Sequence, residues 1–336
     1  MSEAADPSAS RVRPGDELRH RILVALADGE FHSGEALAGA LGVSRAAVWK
    51  HLEALAEAGL GLDRQRGRGY RLTHPVELFD ADAIRAAMGS PWNRQLQLHL
   101  PAAVASTNQF LADLPADARP QACLAEGQAA GRGRRGRQWL SAYGAGIPLS
   151  LAWHFPVLSA GVSALAPAIA VSLAGALEAL GARGLRLKWP NDLLCEQGKL
   201  AGILIELRGA PEGPCDVIIG VGINWALPTE PVDQAAADLS AVMARPSRNH
   251  LAGMVLGRLC DDLGRYAEQG FAPFADAWAE RDALAGRSVT LDLGTRQVAG
   301  CAQGLDEAAA LCLREADGSL SRWQVGEVSL RPARSN

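Results

Sequence analysis

Apolar residues at the start of the chain recur with a helical period. Leu18, Ile22 and Leu26 share one helix face, following an Ala-, Ser- and Pro-rich stretch over residues 1–16 that reads as a loose tail. A second helix is expected to open at Ser33, whose hydroxyl can cap the free N–H groups of Glu35 and Ala36. Leu41-Gly42-Val43 then makes a tight turn. Ser44 is the natural cap of a third helix, with Val48, Leu52 and Leu55 as its buried stripe and Gly59 as its end. Leu60 and Leu62 on one side, and Tyr70 and Leu72 on the other, flank Arg64-Gln65-Arg66-Gly67-Arg68-Gly69, the pattern of a hairpin with a basic tip.

Helix, Gly-containing turn, helix and basic hairpin, in that order, predict a winged helix-turn-helix over residues 17–73. Ser44, Arg45, Trp49 and Lys50 lie at the start of the second helix of the pair, away from the apolar stripe, where bases are contacted. Arg64, Arg66 and Arg68 can reach phosphates or a minor groove. These seven residues are the candidate DNA contacts. A small helical domain with a solvated charged loop is the alternative reading.

After a stretch over residues 74–95 that reads as a linker, the pattern changes to strands interleaved with helices, and a large domain is expected over 96–283. One helix runs through Leu165, Ile169, Leu173 and Leu177, another through Leu251, Val255, Leu259 and Leu263, and a third carries Phe274 and Trp278. Leu185-Leu187-Trp189, Ile203-Ile205-Leu207 and Val217-Ile218-Ile219 read as strands. Past Gly286 come short alternating runs with turns at Gly294, Gly304 and Asp317-Gly318, so residues 284–336 predict a small β-barrel. The expected fold class is α+β, with a mixed sheet covered by helices between two smaller domains.

Composition narrows this little. A chain of 336 residues with 48% hydrophobic and 21% charged residues is in the range of ordinary globular proteins, and its net charge of −4 conceals local basic clusters. It lacks both a signal-peptide core and an apolar run of membrane-spanning length, which predicts a cytoplasmic protein with no membrane partner. Six scattered cysteines at no metal-ligand spacing read as reduced core residues.

Three segments could carry chemistry. Gly131-Arg132-Gly133-Arg134-Arg135-Gly136-Arg137 spaces four arginines with glycines, so the backbone can bend around a ligand while guanidinium groups clamp an anion. It lacks the ending of a Walker loop and is expected to stay disordered until the ligand arrives; alone, it would as readily be an exposed basic loop. Lys188-Trp189-Pro190-Asn191-Asp192, with a turn presenting a carboxylate, precedes Lys199-Leu200-Ala201-Gly202-Ile203, where Lys199 starts a strand with its ammonium free to reach inward. Gly220-Val221-Gly222-Ile223-Asn224 strips one strand face of side chains, so either a flat ligand or a tightly packed neighbour can lie there.

Together with Ser106-Thr107-Asn108, Glu126, Gln128 and Trp139, these motifs resemble the bacterial bifunctional biotin protein ligases that also act as biotin operon repressors. The resemblance covers nearly the whole chain. It implies a class II synthetase-like central domain and an SH3-like C-terminal barrel. It also implies ATP-dependent activation of biotin to biotinyl-AMP, transfer to a lysine of the biotin carboxyl carrier protein of acetyl-CoA carboxylase, and biotinyl-AMP as corepressor at operator DNA in a ligand-promoted homodimer. By that resemblance Ser106, Thr107, Asn108, Gln128, Gly131, Arg132, Arg134, Lys199, Gly202, Gly220 and Gly222 bind biotin. Arg132, Arg134, Arg135, Trp139, Lys188, Asn191, Asp192 and Asn224 bind ATP, Mg2+ comes with the nucleotide near Asp192, and no metal site is built from protein alone. Lys199, Arg132 and Arg134 are the implied catalytic residues, because a fixed cation can stabilise charge as pyrophosphate leaves. A repressor that senses biotin without catalysis and a ligase for a related acid such as lipoate are the alternatives. Gly146-Ile147-Pro148 departs from the aromatic residue common there in the family, and residues 226–240 carry no family signature.

Overall fold

The computed structural model describes residues 14–57, 60–73, 76–115, 119–140, 143–158, 161–209, 213–227 and 235–330. Its N-terminal unit has the expected order: α1 (Pro14–Leu26), α2 (Gly34–Leu41), α3 (Arg45–Glu57), then a hairpin of β1 (Leu62–Gln65) and β2 (Gly69–Leu72). Helix α1 takes in residues 14–16, which the sequence assigns to the tail, because Pro14 has no N–H to satisfy in a first turn. Ser33 Oγ accepts from the Ala36 N–H and Ser44 Oγ from that of Ala47, while Gly42 closes α2 at a left-handed φ of 69°. The expected stop at Gly59 falls outside the described residues. Ile22, Leu26, Val48, Leu52, Leu55 and Leu72 are buried together. The hairpin is tied to the helices by paired His32 and Tyr70 backbones. Gly69 passes so close that a Cβ there would lie 2.0 Å from the His32 carbonyl.

The stretch read as a linker is structured. Helices α4 (Ala81–Met88) and α5 (Trp92–Gln95) lie in it, and Ile84, Met88 and Leu96 join the large central core. Their partner is the long helix α8 (Arg248–Gln269). Its Gly253 and Gly257 let the α4 backbone approach until a Cβ would meet the Ile84 and Met88 carbonyls at 2.4 and 2.5 Å. The short apolar run of α4 carries too little pattern to stand out from a polar linker; its partner helix supplies what fixes it.

The central domain continues with β3 (Gln97–His99), β4 (Ala103–Val104), α6 (Thr107–Ala112), β5 (Gln121–Leu124), β6 (Gly127–Gln128), β7 (Ile147–Phe155) and α7 (Leu165–Ala179). Then come β8 (Arg186–Lys188), β9 (Asp192–Cys195), β10 (Gly198–Gly209), β11 (Cys215–Ile223), α8 and α9 (Ala275–Arg281). Seven strands form one mixed sheet in the order β3-β5-β7-β11-β10-β9-β8, parallel only between β3 and β5, while β4 and β6 pair separately. The expected helices are α7, α8 and α9, and the expected strands are β8, β10 and β11. Strand β7 lies inside the sheet between β5 and β11 yet is not conspicuous in the sequence, because Ile147–Leu151 is buried on both faces and does not alternate. Residues 189–191 form the turn between β8 and β9, so Asp192 opens a strand and is not itself part of the turn.

The C-terminal unit is an antiparallel sheet of β12 (Ser288–Asp292), β13 (Gln297–Leu305), β14 (Leu311–Arg314), β15 (Leu320–Trp323) and β16 (Glu327–Leu330), in the order β15-β14-β13-β12-β16. Gly304 lies inside β13, where the register slips between Ala302 and Leu305, so it marks a bulge and not the expected turn. Val289, Leu291, Leu311, Leu313 and Val328 belong to the same apolar cluster as the central domain, and Trp189 Nε1 donates to the Ala309 carbonyl at 3.1 Å. Five of the six cysteines are buried; Cys301 is half-exposed. No helix among the described residues is long and apolar enough to cross a membrane.

Candidate functional site

The paired glycines of β10 and β11 define the floor of a cavity of about 210 Å³. Gly202 sits opposite Gly222, and Leu204 opposite Gly220. The bared face is covered by a side chain from the arginine-rich segment. A Cβ on Gly222 would meet Trp139 Cε2 at 2.4 Å, one on Gly202 would meet Trp139 Cζ3 at 3.0 Å, and one on Gly220 would meet Asn108 Oδ1 at 2.5 Å. Beside this indole, Lys199 Nζ pairs with Asp192 Oδ1 at 2.7 Å and lies 5.5 Å from the Trp139 ring centroid. The two residues come from adjacent strands, and a register shift between Lys199 and Ala201 turns the lysine towards the cavity side.

A polar cluster forms the opposite end. Gln128 Oε1 accepts from the Thr107 N–H at 2.8 Å and from Thr107 Oγ1 at 3.1 Å. Ser150 Oγ donates to Thr107 Oγ1 at 2.7 Å and lies 2.5 Å from Asn108 Oδ1. Asn108 Nδ2 donates to Glu206 Oε2 at 2.7 Å, which also receives Arg132 Nη2 at 2.9 Å. Ser106, Thr107, Asn108 and Ser150 are buried, so their hydrogen-bonding groups are desolvated and their positions fixed. The Asn108 amide is thereby engaged with Glu206 and Ser150, which makes it a support for the cluster.

The arginine segment has partners on the protein itself. Its ends pair through Trp139 N–H and the Gly131 carbonyl at 2.9 Å, and Gly133 N–H donates to the Arg137 carbonyl at 2.7 Å. The C-terminal sheet holds it. Arg134 Nη2 donates to the Gly326 carbonyl at 3.3 Å, Arg135 Nη2 to the Asp292 carbonyl at 2.8 Å, and Arg137 pairs with Glu327. These contacts offset the strain at Arg135, a residue with a Cβ held at a φ of 55°. Arg134 Nη1 reaches Asn191 Oδ1 at 3.3 Å. Burial pulls the Arg134 guanidinium below its ordinary value while Asp192 opposes the shift, and hydrogen bonding from Arg137 holds the Glu327 carboxyl below the usual carboxylate value.

The candidate residues converge. Ser106, Thr107, Asn108, Gln128, Arg132, Arg134, Arg135, Trp139, Lys188, Asn191, Asp192, Lys199, Gly202, Gly220, Gly222 and Asn224 all line the one cavity. Gly131 does not; it packs against the Trp139 carbonyl, where a Cβ would come to 2.4 Å. Sequence reasoning missed Ser150, Glu206 and Glu327, which are single polar residues in apolar strands or at a remote sheet edge and belong to no local motif. Pro148 also lines the cavity, one residue beyond the last β5–β7 pair of Leu124 with Leu149. From the stretch without a signature, Leu227 and Ala236 reach the rim.

The second candidate surface is on α3 and the hairpin. Ser44, Arg45, Trp49 and Lys50 are exposed on one side of α3, as are Arg64, Arg66 and Arg68 on the hairpin. Arg64 pairs with Glu53, which fixes the hairpin to α3, and Arg68 lies over the Phe31 ring at 4.3 Å.

Residues 100–224 match the biotin/lipoate A/B protein ligase family, residues 19–71 a helix-turn-helix domain and residues 285–331 the biotin protein ligase C-terminal domain. Fold and site thus define a ligase of the biotin/lipoate class joined to a helix-turn-helix unit. The bifunctional ligase/repressor BirA of Salmonella typhimurium is 39% identical over 93% of this chain and 97% of its own. The biotin–[acetyl-CoA-carboxylase] ligase of Mycobacterium tuberculosis is 35% identical over 72% of this chain and 91% of its own. The biotin protein ligase from Aquifex aeolicus in complex with biotin and ATP superposes with a TM-score of 0.61 at 26% identity, covering 70% of this chain and 99% of that one. The chain belongs to the family of bifunctional biotin protein ligase/repressors.

Proposed function

We propose that this protein activates biotin with ATP, transfers it to a lysine of the biotin carboxyl carrier protein of acetyl-CoA carboxylase, and represses transcription as an adenylate-bound dimer in the cytoplasm. The observation that carries the reading is the placement of Lys199 in a cavity bounded by the Thr107–Gln128 cluster at one end and the arginine segment at the mouth. Ser106, Thr107 and Gln128 suit the ureido ring of biotin, which needs fixed polar partners once buried. Arg132 and Arg134 suit the carboxylate and phosphates.

In the first step an oxygen of the biotin carboxylate attacks the α-phosphorus of ATP. The bond to the bridging oxygen breaks, and pyrophosphate leaves with the electron pair. Lys199 exchanges Asp192 for the reacting oxygens and holds its charge where negative charge accumulates. In the second, the acceptor amine attacks the acyl carbon, AMP leaves and the amine loses its proton. Lying over the cavity, the arginine segment would keep water from the mixed anhydride between the steps. Mg2+ would come with the nucleotide phosphates, with Asp192 at the cavity beside them, and would neutralise phosphate charge there. Arg45, Trp49 and Lys50 of α3 would read operator bases, with the hairpin arginines on the backbone. Incubation with ATP, an acceptor domain and labelled biotin or lipoate tests the ligase reading. Label on the acceptor from biotin alone is expected; label from lipoate alone, or from neither, rejects it.

A further inference from the structure

We propose that Arg248 is a positioning residue that closes the base of the ligand segment and couples it, within one subunit, to the chain leading into the helix-turn-helix unit. This rests on the proposed ligand-holding roles of Gln128, Arg132 and Arg134, which lie in the stretch between Glu126 and Gly146, the ligand segment. Arg248 is the first residue of α8 and is fully buried. Its Nη1 donates to Glu126 Oε2 at 2.8 Å and to the Glu77 carbonyl at 2.5 Å, its Nη2 donates to the Gly146 carbonyl at 2.8 Å, and the guanidinium lies 4.1 Å from the Phe79 ring centroid. Glu126 in turn accepts the Phe79 N–H at 2.6 Å and, through its backbone carbonyl, the Gly144 N–H at 2.8 Å.

One guanidinium therefore binds both ends of the stretch that carries Gln128, Arg132, Arg134 and Trp139. It also binds the strap at residues 77–79. The strap continues into the N-terminal unit: Val76 and Leu78 pack on its apolar cluster, to which the ligand segment itself contributes the buried ring of Tyr143. A buried ion pair is a poor source of stability, since desolvation offsets most of its attraction. A planar fork that addresses three acceptors at once instead fixes geometry, and a lysine cannot reproduce it. A ligand that draws on the segment between Glu126 and Gly146 must then act on residues 77–79, and anything that reorients the strap must act back on ligand affinity.

The test uses the full-length protein, with Arg248→Lys and the charge-neutral pair Arg248→Met with Glu126→Gln, the latter leaving no unpaired buried charge. A looser segment must be ordered on binding in both ground and transition states, so the KM for biotin in pyrophosphate exchange is expected to rise about tenfold with kcat within about threefold. A role in folding alone would lower the active fraction and leave KM unchanged. In wild type, biotin with ATP is expected to slow amide hydrogen exchange at residues 76–80, and this protection is expected to be lost in both variants. Folded variants with KM within twofold of wild type, or retained protection at 76–80, would overturn the proposal. Should neither variant fold, unchanged exchange at 76–80 in wild type on adding biotin and ATP overturns it, and slowing there supports it. A wild-type protein that exchanges no pyrophosphate would instead reject the ligase reading.

Discussion

The Gly222→Ala substitution places a methyl group where the Trp139 indole lies. The new Cβ would sit 2.4 Å from Cε2, 2.6 Å from Nε1 and 2.7 Å from Cζ2, against a normal carbon contact of about 3.5–4.0 Å, so the ring must move by about 1 Å or more. Trp139 cannot slide along the strand freely, because its backbone is paired with Gly131 and the segment is pinned to Gly326, Asp292 and Glu327. Overpacking of this kind costs about 1–3 kcal/mol. If the strain falls on the ligand-competent arrangement, kcat/KM for biotin-dependent pyrophosphate exchange falls about 5- to 150-fold. The check is a double-mutant cycle with Trp139→Ala. Once the indole is gone, Gly222→Ala should change kcat/KM by no more than about twofold, since the three atoms nearest the new methyl all belong to that ring. An equal loss from Gly222→Ala in both backgrounds would show that the methyl obstructs the ligand itself and that the indole contact is incidental.

Replacing Lys199 with Ala removes a cation that acts mainly in the transition state. Adenylate formation should fall about 10²- to 10³-fold while biotin affinity, read by calorimetry, changes much less. Glu77 is also a sensitive position: burial pushes its carboxyl up, but hydrogen bonds from Ser247, the Arg248 and Asn249 N–H groups and the Asn249 amide outweigh this and leave it below the ordinary value of 4.5. A carboxylate depressed in the folded state stabilises it above about pH 4.5 and loses that contribution as pH falls through the folded value. Glu77→Gln should therefore lower the melting temperature at pH 7, and the gap from wild type should narrow below about pH 4. Replacing Arg45 and Lys50 together by Ala should weaken binding to operator DNA and flatten its salt dependence, as filter binding at several salt concentrations would show.

Periodicity made much of the architecture legible. The stripes on α1, α3, α7 and α8 are long enough to declare themselves, and the Ser33 and Ser44 caps are local chemistry. Where an element is defined by its partner, the sequence says less. Strand β7 is buried on both faces, and α4 depends on Gly253 and Gly257 across the interface. The same contrast holds in the site. Glycine and arginine clusters, and Lys199 beside Gly202, stand out as motifs, whereas Ser150, Glu206, Glu327 and Arg248 act only through contacts distant in sequence. The arginine motif likewise carries no sign of its partners Asp292 and Glu327, which lie on the C-terminal sheet, distant in sequence.

Lys199, Gln128 and the arginine segment surround one cavity, and the central claim is that this cavity turns biotin into an acyl adenylate. Exchange of labelled pyrophosphate into ATP by the purified protein, measured with biotin, with lipoate and with neither acid, tests this most directly. The account predicts rapid exchange that requires biotin. Absence of exchange by folded protein that binds biotin, or exchange supported equally by lipoate, would contradict it.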